Sequence, residues 1–390
     1  MAAYGSQLIS YALEFSDGHR ESVGRGSPQF TIVAVDPPAL SRFLRKDPYS
    51  AALAFLRGDV SVRGDLVSAV RFYGQQAHSA TSRWLVGALA RLAHGRIASW
   101  FRARSASEIR HHYDRSNEFY RQFLDERMVY SCAYFHQADE PLAHAQEAKL
   151  EHICRKLNLQ PGDQLLDIGC GWGALLVHAA SRYGVTAVGC TLSLHQAEYA
   201  RRAIADASLS RSVTVEERDY QAERGRFSKI ASVGMFEHVG KHRLGAYFRK
   251  VYGLLAPGGL FLNHGIVRPE GTKPTADTLF LERRVFPGAV LVALSDVVRE
   301  AGLAGFEVLD VENLRPHYAL TCRAWLSRLQ ENEQRCRELV GAEAYRTWLL
   351  YLAASAANFE DGYSEIHQLL LSKRGQSGRR WLTRDFLYGG

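Results

Sequence analysis

A chain of 390 residues, 46% of them hydrophobic, can bury a full core and is long enough for more than one domain. No run of about 18 apolar residues occurs, which excludes a membrane-spanning helix. The net charge of +7 suits a polyanionic partner, and the six cysteines form no C-x-x-C pair and no zinc-spaced cluster with histidine, so neither a metal site nor a disulfide framework is implied.

The opening MAAYGSQLISYALEF lacks the charged start, long apolar stretch and cleavage site of a secretory signal, so a cytoplasmic location is expected. QFTIVAV reads as a strand, Pro37-Pro38 breaks it, and ALSRFLRK starts a helix. A second helix is predicted over Tyr49 to Leu56, stopped by Gly58, and VSVRGDL supplies a strand, a glycine turn and Asp65 as a helix cap. Nothing in this small α+β unit carries chemistry. The first 110 residues hold fourteen Lys and Arg against eight Asp and Glu, so nearly all the positive excess lies there. Arg83 to Arg104 contains five arginines and no acid, interleaved with Trp84, Trp100, Phe101 and leucines. Such a stretch suits an anionic lipid surface, a packed connecting helix with a solvated basic face, or a nucleic acid.

From about Leu150, strands alternate with helices, the pattern of a parallel sheet covered on both faces. EAKLEHICRKLNL reads as a helix, QLLDIG as a buried strand, ALLVHAASRYG as a helix, TAVGCTL as a strand and LHQAEYARRAIADA as a helix. VTVEERD and KIASVGMF follow as strands, RLGAYFRKVYGLL as a helix, and Pro257-Gly258-Gly259 as a turn into the strand LFLNHGI.

The first of these strands runs into D-x-G-x-G-x-G, with Asp167, Gly169, Gly171 and Gly173. Glycine suits a loop that turns sharply and lets a ligand approach the backbone. Neither the dinucleotide form G-x-G-x-x-G nor the phosphate form G-x-x-x-x-G-K-[ST] is present. The sequence therefore points to S-adenosylmethionine, a ligand with a positive sulfonium and no phosphate. The second strand ends in Thr191-Leu192-Ser193, where such enzymes usually place an acid for the ribose hydroxyls.

HYDRSNEFYRQFLDERMVYSCAYF, LLDIGCGWGALL, VGCTLSLHQAEYA, SVGMFEHVG and DVENLRPHYALTCRAWLSR, in this order, resemble the blocks of the cyclopropane fatty acid and cyclopropane mycolic acid synthases. The resemblance covers roughly residues 105 to 375 and implies a class I methyltransferase fold: a Rossmann-like, mostly parallel seven-stranded sheet with helices on both faces, over residues 105–390, with acyl-chain-binding insertions toward its C-terminal end. Residues 1–104 then form a lipid-associating unit and basic linker. The implied cofactor site is Tyr113, Tyr130, Ser131, Asp167, Gly169, Gly171, Gly173, Thr191, Leu192, Gln196, Asp219, Tyr220 and Gln221. In this family Thr191 and Gln196 answer the missing acid. Asp219, following the third strand, suits the adenine amino group, and the rings of Tyr113 and Tyr130 suit a sulfonium.

The implied reaction adds a methyl group to a cis double bond of a phospholipid acyl chain and removes a proton from that methyl to close a ring. An isolated alkene is a poor nucleophile, so the reactants must be aligned and water excluded. The resemblance implies a bound bicarbonate as base, with Cys132, Glu237, His264, Ile266 and Tyr318 around it, the cysteine and isoleucine through backbone groups. Two departures bear on the product. Arg115-Ser116 stands where the family has an apolar residue and glycine, and AVLVALSD follows Phe286 to Gly288 in place of L-P-S. A methyl-branched or methylene product is the alternative outcome. A nucleic-acid methyltransferase would carry an Asp/Asn-Pro-Pro-aromatic loop after the fourth strand, where this chain has GMFEHVG; DPPA at Asp36 to Ala39 is on the wrong segment. The expected partners are unsaturated acyl chains and an anionic membrane face, with no nucleic acid; a homodimer stays open.

Overall fold

Two sheets organise the chain, which a computed structural model describes over residues 9–36, 48–77, 117–272, 291–375 and 382–388. The first holds β1 (Tyr11–Glu14), β2 (Arg20–Val23), β3 (Phe30–Ala34) and β4 (Val60–Gly64) in the order β2-β1-β3-β4, with α1 (Pro48–Arg57) and α2 (Leu66–Ala77). β1 runs parallel to β3, and Phe30 and Ile32 alternate into its core. Asp65 caps α2 as its position predicts, accepting from Val67 N at 3.1 Å and Ser68 Oγ at 2.6 Å. The ALSRFLRK helix and the basic stretch Arg83 to Arg104 lie outside the described residues.

The second sheet has seven strands: β5 (Gln164–Ile168), β6 (Thr186–Thr191), β7 (Val213–Glu217), β8 (Phe227–Val233), β9 (Leu255–Val267), β10 (Phe306–Asn313) and β11 (Glu365–Lys373). Their order is β10-β11-β9-β8-β5-β6-β7. β5 to β9 are parallel, and β11 runs antiparallel to both β9 and β10. The chain leaves β5 toward β6 and β7, then returns to β8 on the other side of β5. That reversal opens a crevice at the carboxyl ends of β5 and β8, where open α/β sheets receive ligands.

Among the described residues the helices are α1 and α2, then α3 (Asn117–Arg121), α4 (Leu142–Lys156), α5 (Ala174–Tyr183), α6 (Leu194–Asp206), α7 (Leu244–Leu254), α8 (Leu294–Leu303), α9 (Arg315–Glu331) and α10 (Glu333–Val340), followed by the longer α11 (Ala342–Glu360) and the short α12 (Asp385–Tyr388). α9 and α11 bring Trp325, Trp348, Tyr351 and Phe359 into one core with Phe119, Tyr120 and Phe123 around α3. Arg71 on α2 reaches Asp361 with Nε at 2.9 Å from Oδ1 and also pairs with Glu360, which Arg323 on α9 engages too. These charges fasten the small unit to α11. None of the described helices is long and apolar enough to cross a membrane.

One predicted turn is part of a strand. β9 begins at Leu255 and passes through Pro257-Gly258-Gly259, with a register shift against β8 between Phe227 and Lys229. A Cβ on Gly259 would sit 2.7 Å from Ser228 O, so close approach of β8 demands glycine there.

Candidate active site

Gly169, Gly171 and Gly173 leave β5 with φ of +80°, +54° and +85°, a region side chains with a Cβ rarely adopt. Their surroundings differ. A Cβ on Gly169 would lie 2.9 Å from Met235 Cγ, and one on Gly173 would lie 2.9 Å from Ala200 Cβ. One on Gly171 would meet nothing within 4 Å among the described residues. Gly169 and Gly171 line a cavity of about 200 Å³ at the crevice, whereas Gly173 lets α5 start against α6 and does not face that cavity.

Around the same cavity stand Tyr130 and Ser131, Asp167 at the end of β5, Thr191, Leu192 and Gln196 at the β6–α6 junction, and Asp219, Tyr220 and Gln221 after β7. Tyr113 lies outside the described residues. Thr191 Oγ1 donates to Gln196 Oε1 at 2.8 Å, while Ser193 Oγ caps α6 by accepting from Gln196 N at 3.4 Å. A fixed pair of neutral side chains thus occupies the place where an acid was missing. Asp219 Oδ1 accepts from Gln221 N at 2.8 Å, which holds the turn after β7. Burial raises the Asp167 carboxyl to about 7, against the pull of Lys149.

Several lining residues escaped the sequence reading. Met128 takes a left-handed φ of +57°, held by Asp125, whose Oδ1 accepts from Val129 N at 2.9 Å. Trp172, inside the glycine motif, donates Nε1 to Asn117 Oδ1 at 2.8 Å and so ties α3 to the loop. His238, held neutral by burial with its pKa lowered to about 4, also lines the cavity. Lys149 enters from α4, and its Nζ donates to Ser131 Oγ at 2.9 Å. The available signal was the pair Gln146 and Lys149, three residues apart on the buried face of α4.

The second cluster lies at the ends of β8 and β9. Ladder pairing stops at Val233 opposite His264, and a single 3-10 turn, Phe236–His238, carries Glu237. Glu237 Oε1 accepts the Ile266 N–H at 2.7 Å, in the position a further β8 residue would take. His264 is fully buried, and its Nδ1 accepts from Gln368 Nε2 at 3.0 Å, which leaves the ring proton on Nε2. Burial holds its pKa well below the ordinary value, so the ring is neutral. Glu237 Oε2 and His264 Nε2 are both buried without a hydrogen-bond partner among the described residues.

Cys132 and Tyr318 are linked to this cluster by way of Leu314. Cys132 Sγ lies 3.8 Å from Leu314 O, Leu314 N donates to Ile366 O at 2.9 Å, and Ile366 pairs with Ile266 across the sheet. Tyr318 stands one turn beyond Leu314, its ring 4.5 Å from Phe359. Burial raises the Cys132 thiol far from ionisation, so it offers no thiolate nucleophile. An aromatic wall joins the two clusters, because Trp325 packs 5.0 Å from Tyr130 and 6.0 Å from Tyr318.

Burial pushes the Glu237 carboxyl up to about 7. Unfolded, it ionises near pH 4, so between about pH 4 and pH 7 the folded state binds more protons and stability falls as pH rises. Glu237→Gln should remove that slope. Urea melts at about pH 5 and about pH 8 should move the parent-minus-variant stability against the parent by up to about 3 kcal/mol. Parallel curves would mean that the carboxyl is ionised in the fold throughout.

The family model described as Mycolic acid cyclopropane synthetase matches residues 101–369. A "Probable fatty acid methyltransferase" of Pseudomonas putida is 37% identical over 396 residues, covering 99% of this chain and 98% of that protein. Cyclopropane mycolic acid synthase 1 of Mycobacterium tuberculosis is 37% identical over 278 residues, covering 68% of this chain and 97% of that protein. The crystal structure of mycolic acid cyclopropane synthase CmaA1 complexed with SAH and CTAB superposes with a TM-score of 0.66 at 35% identity, covering 69% of this chain and 98% of that one.

Proposed function

Because the chain belongs to the mycolic acid cyclopropane synthetase family, and is an S-adenosylmethionine-dependent methyltransferase of the cyclopropane synthase type, we propose that it methylates a cis double bond of an unsaturated phospholipid acyl chain and closes a cyclopropane ring. S-adenosylmethionine supplies an electrophilic methyl group on its sulfonium. The glycine loop, Asp167, the Thr191–Gln196 pair and Asp219 hold the cofactor, and the Tyr130 ring attracts its positive charge. The wall of Tyr130, Trp325 and Tyr318 keeps water from the reacting carbons.

The observation that carries this reading is the pair of unpartnered buried atoms, Glu237 Oε2 and His264 Nε2. Leaving such groups unpaired is costly, so the site suits a small guest that accepts from the imidazole and shares a proton with the carboxylate. Bicarbonate has that chemistry and would supply the base there, with Cys132, Ile266 and Tyr318 completing the enclosure. Glu237 fixes the orientation of the site through Ile266 N, and Gln368 fixes the His264 tautomer. Stripping dissolved carbon dioxide from the assay should slow turnover several-fold, and added bicarbonate should restore it. Turnover indifferent to both would remove bicarbonate from the account.

The N-terminal unit is the part we assign to the membrane. Each arginine near an anionic surface contributes about 1 kcal/mol, screened over a Debye length. Changing Arg91, Arg96 and Arg102 to glutamine should therefore reduce sedimentation with anionic vesicles and activity on them, leaving activity on detergent-dispersed lipid close to the parent's. Vesicle binding unaffected by salt and by the triple change would assign these arginines to structure.

A further inference from the structure

Helix α4 covers the sheet with a face that includes Gln146, Lys149 and Ile153. A lysine there is unusual, since ammonium groups are almost never fully buried unless paired. Lys149 is 2% exposed, lines the cavity beside Asp167, and spends one of its three N–H donors on Ser131 Oγ at 2.9 Å. Asp125 and Asp167 supply the negative field around it, and neither forms an ion pair with it among the described residues. Asp125 is already engaged by the backbone N–H groups of Val129 at 2.9 Å and Arg127 at 3.3 Å. Ser131 is itself held in place, because Gln146 Nε2 donates to its carbonyl oxygen at 3.0 Å. The result is a buried cation with unused donors at a cavity that is also lined by a buried carboxyl, Asp167, close enough for each to act on the other's charge.

That arrangement matches a zwitterion. An α-amino acid end brings one carboxylate and one ammonium, and needs a donor cation and an acceptor anion side by side. We propose that Lys149, presented by α4 and steadied by Ser131, binds the carboxylate of the amino-acid end of S-adenosylmethionine, with Asp167 taking the ammonium. The assignment rests on the reading that the cofactor occupies this cavity, and adds a residue that the glycine-loop motif does not contain. Burial lowers the ammonium pKa to about 8, which leaves it charged at neutral pH.

The test is calorimetric titration of Lys149→Met with two probes. S-adenosylhomocysteine carries the amino-acid end, and 5′-methylthioadenosine lacks it. A charged hydrogen bond lost from a buried site lowers affinity about 10- to 100-fold, so S-adenosylhomocysteine binding should weaken by that factor while 5′-methylthioadenosine binding stays within about twofold. Methionine fills a similar volume, and Asp167 can take up a proton, so the fold tolerates the change. Should Lys149→Met not fold, Lys149→Gln keeps a donor for Ser131 Oγ without the charge, and the same contrast is read on it. Undiminished S-adenosylhomocysteine binding, or an equal loss for both probes, would overturn the proposal and assign Lys149 to balancing Asp125 and Asp167. A parent protein that binds neither probe would instead sink the cofactor assignment of the cavity.

Discussion

Glu237→Gln should bind S-adenosylhomocysteine as tightly as the parent while turnover falls by about 10²- to 10⁴-fold, the range of general acid–base contributions. The two effects separate because Glu237, carried by the 3-10 turn Phe236–His238, is not among the residues that line the cavity of the glycine loop. The amide can still accept the Ile266 N–H that Oε1 accepts at 2.7 Å, so the local fold should hold. What is lost is the second carboxylate oxygen, buried and without a partner among the described residues, which would share a proton with the bound base. The carboxyl pKa, raised to about 7, adds a pH signature. Below it the group is neutral and cannot accept a proton, so parental kcat/KM should climb as pH rises through about 7, and the variant should lack that limb. A variant that turns over like the parent would remove Glu237 from the chemistry.

Gly171→Val should abolish cofactor binding, by about 100-fold or more, in a protein that still folds. The φ of +54° imposes about 1–2 kcal/mol on any residue with a Cβ. Among the described residues no atom lies within 4 Å of that Cβ, so their core is not disturbed and the branched side chain enters the space lined by the loop. Gly173→Val offers the contrast. Its Cβ would press on Ala200 at 2.9 Å, so the main loss there should be stability. Calorimetry and thermal melts on both variants separate the two roles, and unchanged affinity in folded Gly171→Val would place the cofactor elsewhere.

The parallel strands were legible because they are short apolar runs bounded by turn residues, as in QLLDIG and TAVGCTL. β10 and β11 were harder. FEVLDVEN and EIHQLLLSK mix charge with apolar residues, since buried pairs such as Lys156 with Asp310 at 3.1 Å satisfy those charges in the fold. β1 and β2 are four residues each, and β2 is exposed along its whole length, so no alternation marks it. The long helices α9 and α11 carry their aromatics into a shared core, which blurs a one-sided helical stripe.

The site divides in the same way. The glycine loop announced itself by spacing, because its φ angles and close approaches leave few alternatives. Lys149 did not, since a lysine in a helix ordinarily belongs to a solvated face, and only its burial beside Asp167 reveals otherwise. Glu237, His264, Cys132 and Tyr318 lie far apart in sequence, and resemblance to a family named them before any physical argument could. The register of β8, β9 and β11 then explains how Glu237 and His264 meet, with Glu237 completing the ladder at Ile266 and Gln368 opposite His264.

The central claim is that a methyl group is added to an acyl double bond and then loses one of its own protons as the ring closes. Supplying S-adenosylmethionine with a fully deuterated methyl group, together with unsaturated phospholipid vesicles, tests it directly by mass spectrometry and proton NMR of the product lipid. The expected product is an acyl chain that retains two of the three deuterons and shows cyclopropane resonances. Retention of all three on a methyl branch, or no incorporation into the acyl chain, would contradict it.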